Sequence, residues 1–239
     1  MIDADLKIRE VIPETHDVKT LRLDLEGQNL DFQPGQFSSI QVDTPEGKQF
    51  RSFSIASSPL EKDHIDLSIK RYEDSSAAKA LHALKQGDRL HVKAPFGKFV
   101  FHDSDQNVAM IAGGNGITAI MSMIRYVAGK NLRVKPTLLF SIQTDQDFIF
   151  QKELEQLARE GKITLHVTLT RDAPPGWKGL TGRCDAAMIE KVFGSLQGKT
   201  FFLCGPPPMV QSMHQTLLDL MVPDENIHME EFVRPKKKE

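Results

Sequence analysis

The chain changes rhythm once, at the polar stretch His102-Asp103-Ser104-Asp105-Gln106-Asn107, and that change constrains the fold more than any single motif. Before it, short runs rich in β-branched and aromatic residues (Leu6–Glu10, Val18–Asp24, Phe37–Val42, Gln49–Ile55, Ile65–Lys70 and Arg89–Lys93) alternate with turn chemistry at Pro34-Gly35, Pro45-Glu46-Gly47, Gln86-Gly87-Asp88 and Pro95-Phe96-Gly97. Short strands at this spacing predict an antiparallel β-barrel. One helix interrupts them from about Ser76 to Leu84, with Leu81 and Leu84 as its apolar edge and Asp74 or Ser75 as its cap. After the polar stretch the order becomes buried strand, turn, helix. Val108–Ala112, Pro136–Ile142, Ile163–Thr170 and Thr200–Leu203 are continuous apolar or β-branched runs, and Ile117–Val127, Phe148–Arg159 and Met209–Met221 carry helical spacing. That repetition predicts an α/β doubly wound parallel sheet, so the chain divides into residues 1–103 and 104–239.

A length of 239 residues gives each half room for its own core, and a net charge of -2 supplies no global attraction to nucleic acid or membrane. Cys184 and Cys204 are too few for a disulfide framework, a four-cysteine zinc site or a cysteine-ligated cluster, and the eight histidines show no ligand spacing, so no metal is expected. No run reaches the roughly 18 apolar residues of a membrane span, and Met1-Ile2-Asp3-Ala4-Asp5 has no apolar leader core, which together predict a soluble cytoplasmic protein.

Three motifs carry chemistry. Arg51-Ser52-Phe53-Ser54 offers a planar fork for phosphate, a flat apolar ring and a hydroxyl for a ring nitrogen, although such a tetrapeptide also occurs in ordinary strands. Gly113-Gly114-Asn115-Gly116, followed by Ile117 and Thr118, lies between a buried strand and a helix, where backbone amides can receive a pyrophosphate. Its spacing is not Gly-x-Gly-x-x-Gly, a purely structural turn fits equally well, and Asn115 adds tolerance for a left-handed conformation. Cys204 ends a strand, Gly205 admits a close neighbour, and Pro206 to Pro208 pre-set the helix that Met209 enters. The thiol fits a small buried hydrophobe too, but the ends of the first and fourth strands of a doubly wound sheet flank the crevice where ligands bind.

Together with Pro95-Phe96-Gly97 and the terminal Glu230-Glu231-Phe232, these motifs resemble the ferredoxin–NADP reductase superfamily over nearly the whole chain. The resemblance implies a flavin-binding barrel of six antiparallel strands joined to a nicotinamide-dinucleotide domain. It implies that Arg51 binds flavin phosphate, Phe53 packs along the isoalloxazine and Ser54 hydrogen-bonds near N5, with Ser52 in the same strand. Cys204 would lie near the nicotinamide, Glu230 would act as a charge or proton partner, and Phe232 would be the terminal aromatic. Positioning, rather than a strong acid or nucleophile, would be the protein's part in hydride transfer.

Ile69-Lys70-Arg71-Tyr72 resembles the strand that holds the adenylate half in FAD-binding relatives, which favours FAD over FMN. Against that, the family's Gly-x-x-Ser/Thr at the barrel helix is replaced by Ser75-Ser76-Ala77-Ala78, and Glu73 and Asp74 would repel a pyrophosphate unless they turn outward. Thr170-Arg171 stands where NADPH-preferring relatives place Ser-Arg, while Asp145 and Asp147 suit the free 2′-hydroxyl of NADH, so the donor is left open. The acceptor implied is a separate small ferredoxin or flavodoxin, which the basic tail Arg234-Pro235-Lys236-Lys237-Lys238 could steer unless it is merely a solvated end. A flavin reductase that releases reduced flavin, and a non-catalytic relay or nucleotide-sensing module, are the rival readings.

Overall fold

The computed structural model describes residues 1–232, and these divide into two compact units. The first comprises Met1–Asp103 with Thr118–Leu132; the second comprises Ser104–Ile117 with the chain from Arg133 onward. The basic tail lies outside the described residues.

The first unit is built on one antiparallel sheet of β1 (Ile2–Pro13), β2 (Val18–Asp24), β3 (Phe37–Thr44), β4 (Gly47–Ser54), β5 (His64–Lys70) and β6 (Arg89–Phe96), in the order β4-β3-β6-β1-β2-β5. The sheet curls until its two edges meet, and they meet at a single bridge, Ile55 to Leu67. One face of the strands is aliphatic: Leu6, Ile8, Leu21, Leu23, Ile40, Ile65, Leu67, Ile69 and Val92 form a continuous buried cluster. Helix α1 (Ser76–Ala83) closes that cluster with Ala77 and Leu81, and Ser75 caps it by accepting from the Ala78 amide at 3.2 Å. The expected apolar edge thus runs through Ala77, Ala78 and Leu81, and the helix ends before Leu84. At its far end Lys19 Nζ donates to the carbonyls of His82 and Leu84 at 2.8 and 2.9 Å, satisfying the last orphan acceptors.

Helix α2 (Ile117–Gly129) sends most of its length to this first unit. The cause is polar as well as apolar. Ser122 Oγ donates to the Ser57 carbonyl at 2.8 Å, Arg125 to the Ala56 carbonyl at 2.9 Å, and Tyr126 to the Asp103 carboxylate at 2.9 Å.

The second unit is a parallel sheet of β7 (Val108–Gly113), β8 (Thr137–Ile142), β9 (Thr164–Leu169), β10 (Leu180–Thr181), β11 (Thr200–Gly205) and β12 (Ile227–Glu231), ordered β10-β9-β8-β7-β11-β12. Helices α3 (Gln151–Arg159), α4 (Ala186–Phe193) and α5 (Pro207–Asp219) accompany it, and Ile189, Phe193, Val210, Met213 and Leu217 cover one face of β7 and β11. The helix foreseen from Phe148 starts at Gln151, because Phe150 takes a left-handed φ of 59° and residues 145–147 form a tight 3-10 turn boxed by Thr144 and Asp147. Short α4 and β12 were not anticipated as elements. Trp177 anchors its loop, donating to the Leu180 carbonyl at 2.9 Å. Among the described residues no helix is long and apolar enough to cross a membrane.

The least replaceable polar contact in the first unit is Asp66, which is 2% exposed and is gripped by Arg22 through two bonds of 2.9 and 3.0 Å. Asp66→Ala removes the buried counter-charge and leaves the half-buried guanidinium only the exposed Glu10 at 3.2 Å, so urea unfolding is expected to show a loss of about 3 kcal/mol. A loss below about 1 kcal/mol would mean that this pair carries no load.

Candidate functional site

The flavin candidates sit on β4, an edge strand, and its pairing with β3 sorts them by face. Ser38 faces Phe53 and Ile40 faces Arg51, so Phe53 and Arg51 lie on the core side, and Phe53 packs against the aliphatic cluster. Phe37 faces Ser54 and Ser39 faces Ser52 on the opposite side. Arg51 donates to the Phe50 carbonyl at 2.9 Å and to the Gln49 side-chain oxygen, both neutral acceptors. Among the described residues no carboxylate pairs with it, so its charge remains available to an anion. The Ser54 side chain is only 3% exposed, yet among the described residues its hydroxyl meets no hydrogen-bond partner. A hydroxyl with no partner inside the protein is free to meet a bound heteroatom. The arrangement therefore fits a flavin: a free guanidinium, a flat ring and an unused hydroxyl within four residues.

The adenylate candidates are more committed. Ile69 is buried and its carbonyl meets His82 Nε2 at 2.8 Å, while burial holds the His82 imidazole below its ordinary range. Lys70 already pairs with Asp17 at 2.7 Å. Tyr72 is half-buried at the end of this segment. Arg71 pairs with Glu73 at 2.8 Å, and both Glu73 and Asp74 are exposed, so neither acid is trapped against the helix start. The Ser75 hydroxyl is spent on its cap, and the Ser76 hydroxyl bonds the Glu46 carboxylate, which holds that acid below its usual range together with Thr44.

In the second unit the glycine turn leaves the end of β7. Gly114 to Gly116 form a single 3-10 turn, and the left-handed residue is Gly114, at φ +50°, not Asn115. A Cβ on Gly114 would meet nothing within 4 Å, so this backbone is open to a ligand. The other glycines serve packing instead. A Cβ on Gly116 would stand 2.1 Å from the Cys204 carbonyl oxygen, and one on Gly113 would stand 2.2 Å from Met209 Sδ and 3.1 Å from Pro206. Gly205 comes as close, its own Cβ position lying 3.1 Å from Gly113. β7 and β11 are neighbours from which the strand order runs in opposite directions, the position where doubly wound sheets take ligands. Ile117 and Thr118, both buried, lead from the turn into α2.

Cys204 is fully buried and lies opposite Glu230 on the adjacent β12. Burial, with the Glu230 carboxylate beside it, pushes the thiol well above its ordinary range, so it stays protonated. Glu230 is itself raised by burial. Strand alternation sends Glu231 to the other face, where Gln211 of α5 donates to it at 3.0 Å, and the Phe232 amide continues the ladder to the Gly205 carbonyl at 2.9 Å.

At the ends of β8 and β9, Asp147 is consumed by its box with Thr144, leaving Asp145 exposed. Thr170 bonds the Ile142 carbonyl through its amide at 2.9 Å and its hydroxyl at 3.2 Å, and the Arg171 amide meets the Gln143 carbonyl at 3.0 Å with its side chain in solvent. Asp145 and Arg171 are thus both exposed, on neighbouring strand ends. Sequence reasoning missed Ser57, Asp66, Ser122 and Arg125, polar groups that gather around Ala56 and Ser57 in the segment after Ser54; an acid flanked by Ile65 and Leu67 was the signal.

Comparison with known proteins agrees with both halves. Residues 5–101 match the oxidoreductase FAD-binding domain and residues 110–215 the oxidoreductase NAD-binding domain. The chain is 32% identical to the glycine betaine monooxygenase reductase subunit of Chromohalobacter salexigens, over 93% of this chain and 62% of that protein. It is 31% identical to the ferredoxin reductase component of 3-ketosteroid-9-alpha-monooxygenase from Mycobacterium tuberculosis, over 95% of this chain and 65% of that protein. The chain therefore spans less than two thirds of the length of these relatives. The flavohem-like FAD/NAD-binding domain of nitric oxide dioxygenase from Vibrio cholerae superposes with a TM-score of 0.88 at 25% identity, over 97% of this chain and 99% of that one.

Because burial raises the Glu230 carboxyl above its unfolded value, the folded state is penalised once that group ionises. Below the ordinary carboxylate range both states hold the proton and no penalty exists; it grows as pH rises through the folded value. Glu230→Gln is thus expected to match the native chain in urea unfolding at about pH 4 and to exceed it at about pH 8. An offset that is the same at both would remove ionisation as the cause.

Proposed function

The chain belongs to the ferredoxin–NADP reductase superfamily, and on that premise we propose that it is a flavoprotein reductase taking hydride from NADH or NADPH onto bound FAD. Residues 1–103 form the flavin domain and residues 104–239 the nicotinamide domain of this reading. Electrons then leave for a separate small carrier, a ferredoxin or flavodoxin. A relative named as a ferredoxin reductase component supports that class of acceptor. The cell compartment of the proposal is the cytoplasm.

The observation that carries the reading is the end of β4, where an Arg51 with no carboxylate partner among the described residues, the Phe53 ring and a Ser54 hydroxyl with no hydrogen bond among them follow one another. When bound, FAD supplies the hydride acceptor and divides a two-electron donor into one-electron steps. Arg51 neutralises a flavin phosphate, Phe53 gives the ring system a flat apolar wall, and Ser54 donates to a ring nitrogen and fixes its orientation. The open backbone at Gly114 receives the dinucleotide pyrophosphate. Cys204, fully buried and held as a neutral thiol, backs the strand end at the nicotinamide site without a competing thiolate nucleophile. Glu230 retains a proton more readily than an exposed glutamate and serves as the local proton store. Thr170-Arg171 and Asp145 are the competing groups for the adenosine 2′ position.

Purified protein is expected to be yellow, to release FAD on denaturation and to bleach anaerobically with NADH or NADPH. Colourless protein that saturates with added flavin would replace this reading with a flavin reductase; yellow protein untouched by either nucleotide would replace it with a non-catalytic module. Arg51→Ala is expected to lower flavin content. Ser54→Ala is expected to keep its flavin and to be reduced on the order of tenfold more slowly, the worth of one oriented hydrogen bond. Reduction of Ser54→Ala at the native rate would remove that hydroxyl from the reaction.

A further inference from the structure

The residues immediately after Ser54 run through the interior as Ile55-Ala56-Ser57-Ser58, all buried and none within a strand. Irregular backbone at this depth needs partners for its polar groups. The partners come from two directions. From β5, the Asp66 carbonyl accepts from the Ala56 amide at 2.8 Å, and the Asp66 amide donates to Ser57 Oγ at 3.1 Å. From α2, Arg125 donates to the Ala56 carbonyl at 2.9 Å and Ser122 to the Ser57 carbonyl at 2.8 Å. Arg125 also stands 3.5 Å from the Asp66 carboxylate that Arg22 grips from the other side.

We propose that Arg125 is a positioning residue for hydride transfer: its guanidinium clamps the Ala56 carbonyl against the buried Asp66 and so fixes the backbone that presents the Ser54 hydroxyl to the flavin. The proposal rests on the reductase reading above for the role of Ser54, and on geometry within the first unit for the clamp. A guanidinium suits the task because its fork reaches a carbonyl and a carboxylate at once, whereas one ammonium group cannot hold both with the same geometry. Ser122 fastens the next carbonyl from the adjacent turn of the same helix, so the segment is held at two successive points. Loss of the clamp frees the segment by fractions of an ångström, and misplacement of that size costs hydride transfer far more than it costs binding.

The test compares Arg125→Met, which keeps the apolar stem and removes the fork, with Arg125→Lys, which can restore one donor. Hydrogen exchange on the flavin-free protein reads the clamp directly: amides of residues 55–58 are expected to exchange at least about tenfold faster in Arg125→Met and at an intermediate rate in Arg125→Lys. In the flavin-loaded protein, stopped-flow reduction is expected to show a limiting rate lower by roughly ten- to a hundredfold, an unchanged half-saturating nucleotide concentration and partial recovery with lysine. Native exchange at residues 55–58, or a native limiting rate in a variant that is only less stable, would overturn the proposal. If Arg125→Met does not fold, Ser122→Ala takes its place, with a few-fold effect expected on both readouts and native values overturning the proposal. If the native chain itself is not reduced by either nucleotide, it is the reductase reading that fails, and the exchange measurement still judges the clamp.

Discussion

Asp66 is the contact on which the first unit depends. A carboxylate that is 2% exposed tolerates burial only when its charge is matched, and Arg22 matches it with two bonds while Arg125 approaches from α2. The same residue spends its backbone on Ala56 and Ser57. One side chain and its peptide groups thus tie β2, β5, the segment after β4 and a distant helix to a single point. The curled sheet has only the Ile55 to Leu67 bridge between its edges, and this polar knot lies next to it. Where ladder hydrogen bonds stop, side chains take over the work of holding the backbone.

The second unit solves a different problem by small residues. A parallel sheet offers its strand ends to ligands, and the chain must turn sharply there without filling the space it leaves. Gly113, Gly116 and Gly205 let the ends of β7 and β11 approach so closely that a Cβ on Gly113 would meet Met209, one on Gly116 would meet Cys204, and one on Gly205 would crowd the Gly113 backbone. Gly114, in the same turn, has open space in front of it. The beginning of α5 is pre-set by Pro206 and Pro207, so Met209 arrives where the glycines leave room for it. Cys204 and Glu230 share burial on adjacent strands, and burial explains both the retained thiol proton and the raised carboxyl. Neither group is arranged as a nucleophile.

Much of this was legible in the residues. Short runs punctuated by Pro-Gly and Gln-Gly-Asp turns announce the antiparallel sheet, and the predicted strand Val18–Asp24 has the bounds the structure gives it. Buried strands such as Val108–Gly113 stood out as continuous apolar runs. The start of α3 was misread because Phe148 and Phe150 continue the helical spacing while their backbone does not; the 3-10 turn and its box consume residues 145–147 first. The left-handed position was sought at Asn115 and occurs at Gly114, since in a tight turn the residue type that tolerates positive φ is not always the one that takes it. For the adenylate half, the resemblance points to Lys70, but a turn far away in the chain supplies Asp17 as its partner.

Sequence by itself determined the two kinds of sheet, the order of their elements and the motifs at their ends, because hydrophobic period, turn chemistry and helix caps are local properties of a few neighbouring residues. Only the tertiary structure decided which polar groups were already spent on distant partners: Lys70 on Asp17, and Ser54 on nothing among the described residues. It also decided that Arg125 of α2 would meet the carbonyl of Ala56, a contact across 69 residues of chain. Such pairings depend on what a folded backbone brings within about 3 Å, and no window of sequence contains both partners.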